Sequence, residues 1–267
     1  MSRFELGTAR TIVRHTFAVL TIPAFSLLAA AAIVAPAAAQ QAPLPEPQLV
    51  LGGEMLLIGY EADPAALREL LPPGLEPHPA NMVVMNMYKV PDASATSGLG
   101  AYTLTYLAVA VSGHDGYVAG ANDRPAGRYI AYYWNSSDAM RTYTRSSGFA
   151  DSGPGTTTLA QQGGKVTTTL TVDGQPFIEA SVDVSGDWSP RFGGQNNYFG
   201  SKGDGSARYA VRFPLPYVCQ ALKTENATIS FQMPAGHPAL KLKPKKVLWA
   251  ARANCDIVYP QSVALRH

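Results

Sequence analysis

The chain has 267 residues, with 21 Lys and Arg against 19 Asp and Glu, and 46% of its residues are hydrophobic. It is long enough to bury one sizeable core. A formal net charge of only +2 argues against nucleic acid or an anionic membrane surface as the partner.

Arg3, Arg10 and Arg14 precede an apolar, alanine-rich run over 17–34, and Ala37, Ala38 and Ala39 offer a small-residue cleavage site. This pattern reads as a secretory signal peptide over 1–39, cleaved after Ala39. An uncleaved anchor is the alternative for the same run, but the polar, proline-rich sequence that follows favours removal. Cleavage leaves 18 basic against 18 acidic residues, a periplasmic or secreted product, and no stable membrane anchor. Residues 40–48 read as an extended Gln/Pro tether, and 49–267 as a single domain.

The first strand is expected over 54–60. A short helix follows, with Asp63 as N-cap, Pro64 at the first helical position, and Leu67, Leu70 and Leu71 as its apolar stripe. Pro72 stops it. Residues 82–90 return as a strand whose unbroken apolarity predicts burial on both faces. Further strands are expected over 101–112 and 128–134, then a helix capped within Ser136-Ser137-Asp138 and running to about Arg145. The Ser/Gly/Thr-rich segment 146–164 reads as a long loop.

Asp173-Gly174 between 166–172 and 176–184 is a hairpin signal. Residues 185–206, with Trp188 and Phe192 set among Gly193, Gly194, Gly200, Gly203 and Gly205, read as irregular. Strands over 209–219, 227–233 and 247–259 close the pattern, and the four lysines between 237 and 246 read as a solvated face. The fold class expected is mainly β with short helices (α+β), a large and mostly antiparallel sheet or barrel enclosing a pocket. In an exported protein Cys219 and Cys255 are either a disulfide or two buried thiols. They carry no CxxC or paired-histidine spacing, and His114-Asp115 has no histidine spaced to join it, so no metal and no cofactor are expected. No Gly-x-Ser-x-Gly elbow occurs.

The stretch Ala62-Asp63-Pro64-Ala65-Ala66-Leu67-Arg68-Glu69-Leu70-Leu71-Pro72-Pro73-Gly74-Leu75-Glu76-Pro77 resembles the opening of the acetoacetate decarboxylase family. Thr96-Ser97-Gly98-Leu99-Gly100-Ala101-Tyr102-Thr103, the strand and helix over 128–149, and 238–251 resemble its later segments. The resemblance implies the family fold. It also implies a lysine that attacks a ketone as a free amine, its pKa depressed by a neighbouring lysine, within a Gly/Ala-aromatic-Pro-Lys-Lys stretch. Here that stretch is Gly148-Phe149-Ala150-Asp151-Ser152, so both lysines are missing. Two family glutamates correspond to Leu104 and to a position near Asn86, and a family arginine corresponds to a position near Gly53.

Standard imine decarboxylation is therefore not expected. Asp151 as a base, Ser152 as a donor, Arg145 and Asn86 are candidates for other lyase-like, hydratase or isomerase work on a small oxo or carboxylic compound. Lys89 and Lys165 are candidates for a displaced amine serving a decarboxylase or aldolase. A non-catalytic small-molecule binder on the same fold is the alternative. A homo-oligomer is compatible with each reading.

Overall fold

The computed structural model describes residues 48–122, 124–202, 209–259 and 263–264. The expected signal peptide, its expected cleavage site and 40–47 of the expected tether lie outside the described residues. Gln48 belongs to the first strand instead of the tether.

The strands are β1 (Gln48–Glu61), β2 (Met82–Val90), β3 (Tyr102–Val111), β4 (Tyr117–Val118), β5 (Gly127–Asn135), β6 (Ser152–Pro154), β7 (Thr156–Gln162), β8 (Lys165–Val172), β9 (Gln175–Ser185), β10 (Phe192–Lys202), β11 (Tyr209–Phe231), β12 (Lys246–Tyr259) and β13 (Val263–Ala264). Two α-helices accompany them, α1 (Pro64–Leu70) and α2 (Asp138–Ser147). The expected α+β class is the one formed. The strands join in one sheet in the order β4-β10-β5-β3-β2-β1-β12-β11-β9-β8-β7, with β6 on β5 and β13 on β11. All pairs are antiparallel except β10 with β5 and β5 with β6.

The barrel alternative is overturned. A barrel closes without edges, whereas this order runs between two end strands, β4 and β7. The sheet does curl, because β11 is long enough to serve several neighbours. Its first part pairs with both β10 and β12, and Lys223–Phe231 pairs with β9.

Two irregular stretches are also corrected. Residues 146–164 contain β6 and β7, and 185–206 contain β10. Threonines suit the exposed edge β7 through their β-branching. The glycines of β10 mark close approach: a Cβ on Gly200 would stand 2.0 Å from the Gly148 carbonyl oxygen.

The helices follow their sequence signals. Asp63 accepts from the Ala65 and Ala66 amides at the start of α1, supplying partners the first turn lacks. Ser137 does the same for Met140 in α2, and Gly148 ends α2 at φ 78°, the left-handed geometry that glycine adopts without Cβ strain. β2 is buried on both faces, as its apolarity predicts. Met85 and Met87 pack with α1 and the β8–β9 hairpin, while Asn86 and Tyr88 face the other way, into a second cluster of aromatics.

Candidate functional site

That second side encloses a cavity of about 550 Å³, within the ~300–1,000 Å³ usual for small-molecule sites. Cross-strand register aims its polar groups. Leu57, Asn86, Tyr106 and Tyr133 oppose one another along β1, β2, β3 and β5, so they share a face. Arg128 on β5 lies opposite Tyr198 on β10 and, on its other side, opposite Ala110.

These residues form one hydrogen-bonded chain. Arg128 Nη1 donates to the Tyr198 hydroxyl at 3.0 Å, the Tyr198 and Tyr106 hydroxyls lie 2.6 Å apart, and Asn86 Nδ2 donates to the Tyr106 hydroxyl at 3.2 Å. Each phenolic oxygen thus already accepts one N–H donor. Only one of the two hydroxyl hydrogens lies between the rings, which leaves the other to serve a ligand. Arg128 Nε and Asn86 Oδ1 are buried without a partner among the described residues. Burial, with the neighbouring Tyr198 hydroxyl adding to it, lifts Tyr106 well above the ordinary tyrosine pKa of 10.0, so Tyr106 is a hydrogen-bond donor at neutral pH.

The charge pattern is one-sided. Among the described residues lining the cavity there is no Asp, Glu or Lys; the charged ones are Arg128, which is only 7% exposed, and the exposed Arg124. A buried guanidinium normally finds a carboxylate, because an uncompensated buried charge is costly. Arg128 has none among the described residues, only the Tyr198 hydroxyl and ring. The arrangement can hold an anion or polarise a carbonyl oxygen.

Of the sequence candidates only Asn86 reaches this cavity. Asp151 is exposed and pairs with Arg145 at 3.7 Å, itself half exposed. Ser152 is buried, but its hydroxyl meets Thr144 Oγ1 at 2.8 Å and its carbonyl accepts from Arg145, so it fastens α2 to β6. Lys89 reaches toward Glu54 at 4.0 Å and Lys165 is exposed at the β7–β8 turn. Of the segment Gly148–Ser152, Phe149 is the residue that lines the cavity. Near Gly53 the space is filled by the Tyr88 ring, 2.2 Å from where a Cβ would stand. Arg128, Tyr106, Tyr198, Arg124 and His78 were not singled out from sequence; the one available signal was a lone charge at the head of the aromatic strand Arg128-Tyr129-Ile130-Ala131-Tyr132. Cys219 and Cys255 are joined in a disulfide, and both line the cavity.

A family model described as acetoacetate decarboxylase (ADC) matches residues 32–260. The structure is similar to acetoacetate decarboxylase from Legionella pneumophila subsp. pneumophila str. Philadelphia 1, at TM-score 0.69 and 15% identity, covering 88% of this chain and 93% of that one. It is also similar to an acetoacetate decarboxylase-like enzyme from Sphingomonas wittichii RW1, at TM-score 0.60 and 14% identity over 87% and 99% of the two chains. A third similar structure is the enduracididine biosynthesis enzyme MppR complexed with pyruvate, at TM-score 0.60 and 16% identity over 83% and 91%. At these identities the likeness is one of fold. Comparison with curated proteins finds no match.

Proposed function

Because the chain belongs to the acetoacetate decarboxylase family yet brings no described lysine to its cavity wall, we propose that it is an exported protein that binds a small oxo or carboxylic compound and acts on it without forming an imine. Arg128 is the anchor, and the Tyr106–Tyr198 pair is the donor to the ligand's oxygen. The observation that carries this reading is the buried guanidinium of Arg128 facing a cavity with no described carboxylate to neutralise it. A bound anion supplies that counter-charge, and in a dry site its charge-assisted hydrogen bonds are the strong kind. Pyruvate, which MppR holds in its complex, belongs to the same chemical class. The buried Cys219–Cys255 disulfide suits an oxidising compartment outside the cytosol.

Hydrogen bonds to a ligand carbonyl stabilise negative charge developing on its oxygen, which favours transfer of a proton from the adjacent carbon to water. A binder without turnover is the second reading, favoured by the outward position of Asp151, which leaves no described carboxylate base in the wall. Borohydride trapping with a panel of 3-oxo acids tests the premise, and no lysine is expected to carry an adduct. A covalent adduct on Lys89 or Lys165 overturns it. Proton NMR of a bound oxo acid in deuterium oxide then separates the two readings: faster exchange at the carbon next to the carbonyl supports catalysis, and binding with no exchange supports the binder.

A further inference from the structure

Resting on the reading that an anionic head sits at Arg128, we propose that the ligand is an acid with an extended apolar body, which lies on the wall built by Ala221, Ala251, Ala253 and the Cys219–Cys255 disulfide.

The cavity is asymmetric by strand. Its charged lining residues come from β5 and the segment just before it, and its buried polar chain from β2, β3, β5 and β10. No charged residue of β1, β11 or β12 lines it. On these strands alternate residues share the cavity face. Cys219 opposes Cys255 and Ala221 opposes Ala253, with Ala251 two residues away on β12. Three alanines on neighbouring strands, where Ile257 farther along β12 is large, leave a hollow, and the disulfide replaces two thiols with a surface that has no hydrogen to donate.

Met55 joins this wall to the polar chain. It opposes Ala253 in register, and its sulfur lies 3.7 Å from Asn86 Nδ2. An apolar surface therefore continues directly from the polar end. A short polar acid would satisfy Arg128 and leave this wall exposed to water within the cavity, whereas an apolar body covers it.

Calorimetry on the mature protein with butanoate, hexanoate and octanoate tests the inference. Affinity is expected to rise about threefold to fourfold per added methylene until the wall is covered. Equal affinities along the series overturn the inference and leave the anion reading standing. Octanol binding as well as octanoate, with Arg128→Met changing neither, overturns the anion reading and leaves the wall standing.

Ala253→Phe is expected to weaken octanoate at least about tenfold while leaving butanoate within about twofold, and an equal loss for both overturns the wall. A readout on the unaltered protein guards against a variant that fails to fold. Both sulfurs lie against the cavity, so reduction by a small water-soluble phosphine, followed by thiol alkylation and mass spectrometry, reports what covers them. Octanoate at saturation is expected to slow reduction several-fold and saturating butanoate to leave it unchanged; no protection by octanoate overturns the inference.

Discussion

Arg128 Nη1 stands 3.0 Å from the Tyr198 hydroxyl, and that phenol is the only hydrogen-bonding partner of the buried guanidinium among the described residues. Replacing Arg128 by Met keeps an unbranched apolar stem and removes the guanidinium and its charge. Binding of a small carboxylate is expected to weaken about 10–100-fold, the worth of a lost charge-assisted pair. Stability is expected to hold or to rise, since the ligand-free fold no longer buries an uncompensated charge. Calorimetry and thermal melting check the two halves, and a melting temperature that falls as steeply as affinity would mean a structural arginine.

The Tyr106–Tyr198 contact of 2.6 Å is the centre of the polar chain, and its members are expected to couple. Tyr106→Phe leaves Asn86 Nδ2 with only the Met55 sulfur at 3.7 Å, and Tyr198→Phe leaves Arg128 without its acceptor. Each is expected to cost about 1–3 kcal/mol of stability. The double variant is expected to cost less than the sum by about 0.5 kcal/mol or more. Urea unfolding of the four proteins measures this, and strict additivity would show that the two hydroxyls act independently.

How far the sequence reveals the molecule depends on the range over which each signal acts. Asp63, Pro64 and Pro72 define α1 within one turn of chain, and Asp173-Gly174 defines a hairpin at positive φ. β10 is hidden, because Gly194 and Gly200 imitate a loop when their task is to admit the Tyr117 and Gly148 carbonyl oxygens, 2.4 and 2.0 Å from where a Cβ would stand. The site is hidden for the same reason. Arg128 and Tyr198 meet through a parallel pairing of β5 with β10, 70 residues apart, which no local periodicity encodes. Asp151 had a sequence argument in its favour, but it lies exposed beside Arg145 on the α2 surface.

Gly53 admits the Tyr88 ring, whose Cε2 would lie 2.2 Å from an added Cβ. Tyr88 lines the cavity, but it is buried and stands edge-on to Tyr102 at 5.9 Å, so its retreat disturbs that packing. Gly53→Ala is therefore expected to destabilise the protein by about 1–3 kcal/mol through overpacking. It should also change the affinity of any ligand that touches Tyr88. Thermal melting and calorimetry on one sample test this; an unchanged melting temperature would show that the ring moves aside freely.

His237 gives a pH dependence whose sign follows from its surroundings. Its ring lies 4.9 Å from Phe177 and 6.4 Å from both Tyr132 and Trp134, and its Nδ1 accepts the Ala239 amide at the start of the 3-10 turn Pro238–Leu242. Partial burial holds its pKa below the ordinary 6.5. Between that lowered value and about 6.5 the unfolded chain takes up a proton that the folded one refuses. Stability is thus fully present above about pH 6.5 and declines as pH falls through this window, until the folded imidazole also titrates. Protonation of Nδ1 removes the acceptor for Ala239, so loosening is expected to begin at the 3-10 turn. His237→Gln keeps an acceptor within reach and does not titrate, so its unfolding free energy is expected to change less between pH 7.5 and pH 5 than that of the unaltered protein. Urea unfolding at the two pH values measures the difference, and equal slopes for the two proteins would assign the acid sensitivity to other groups.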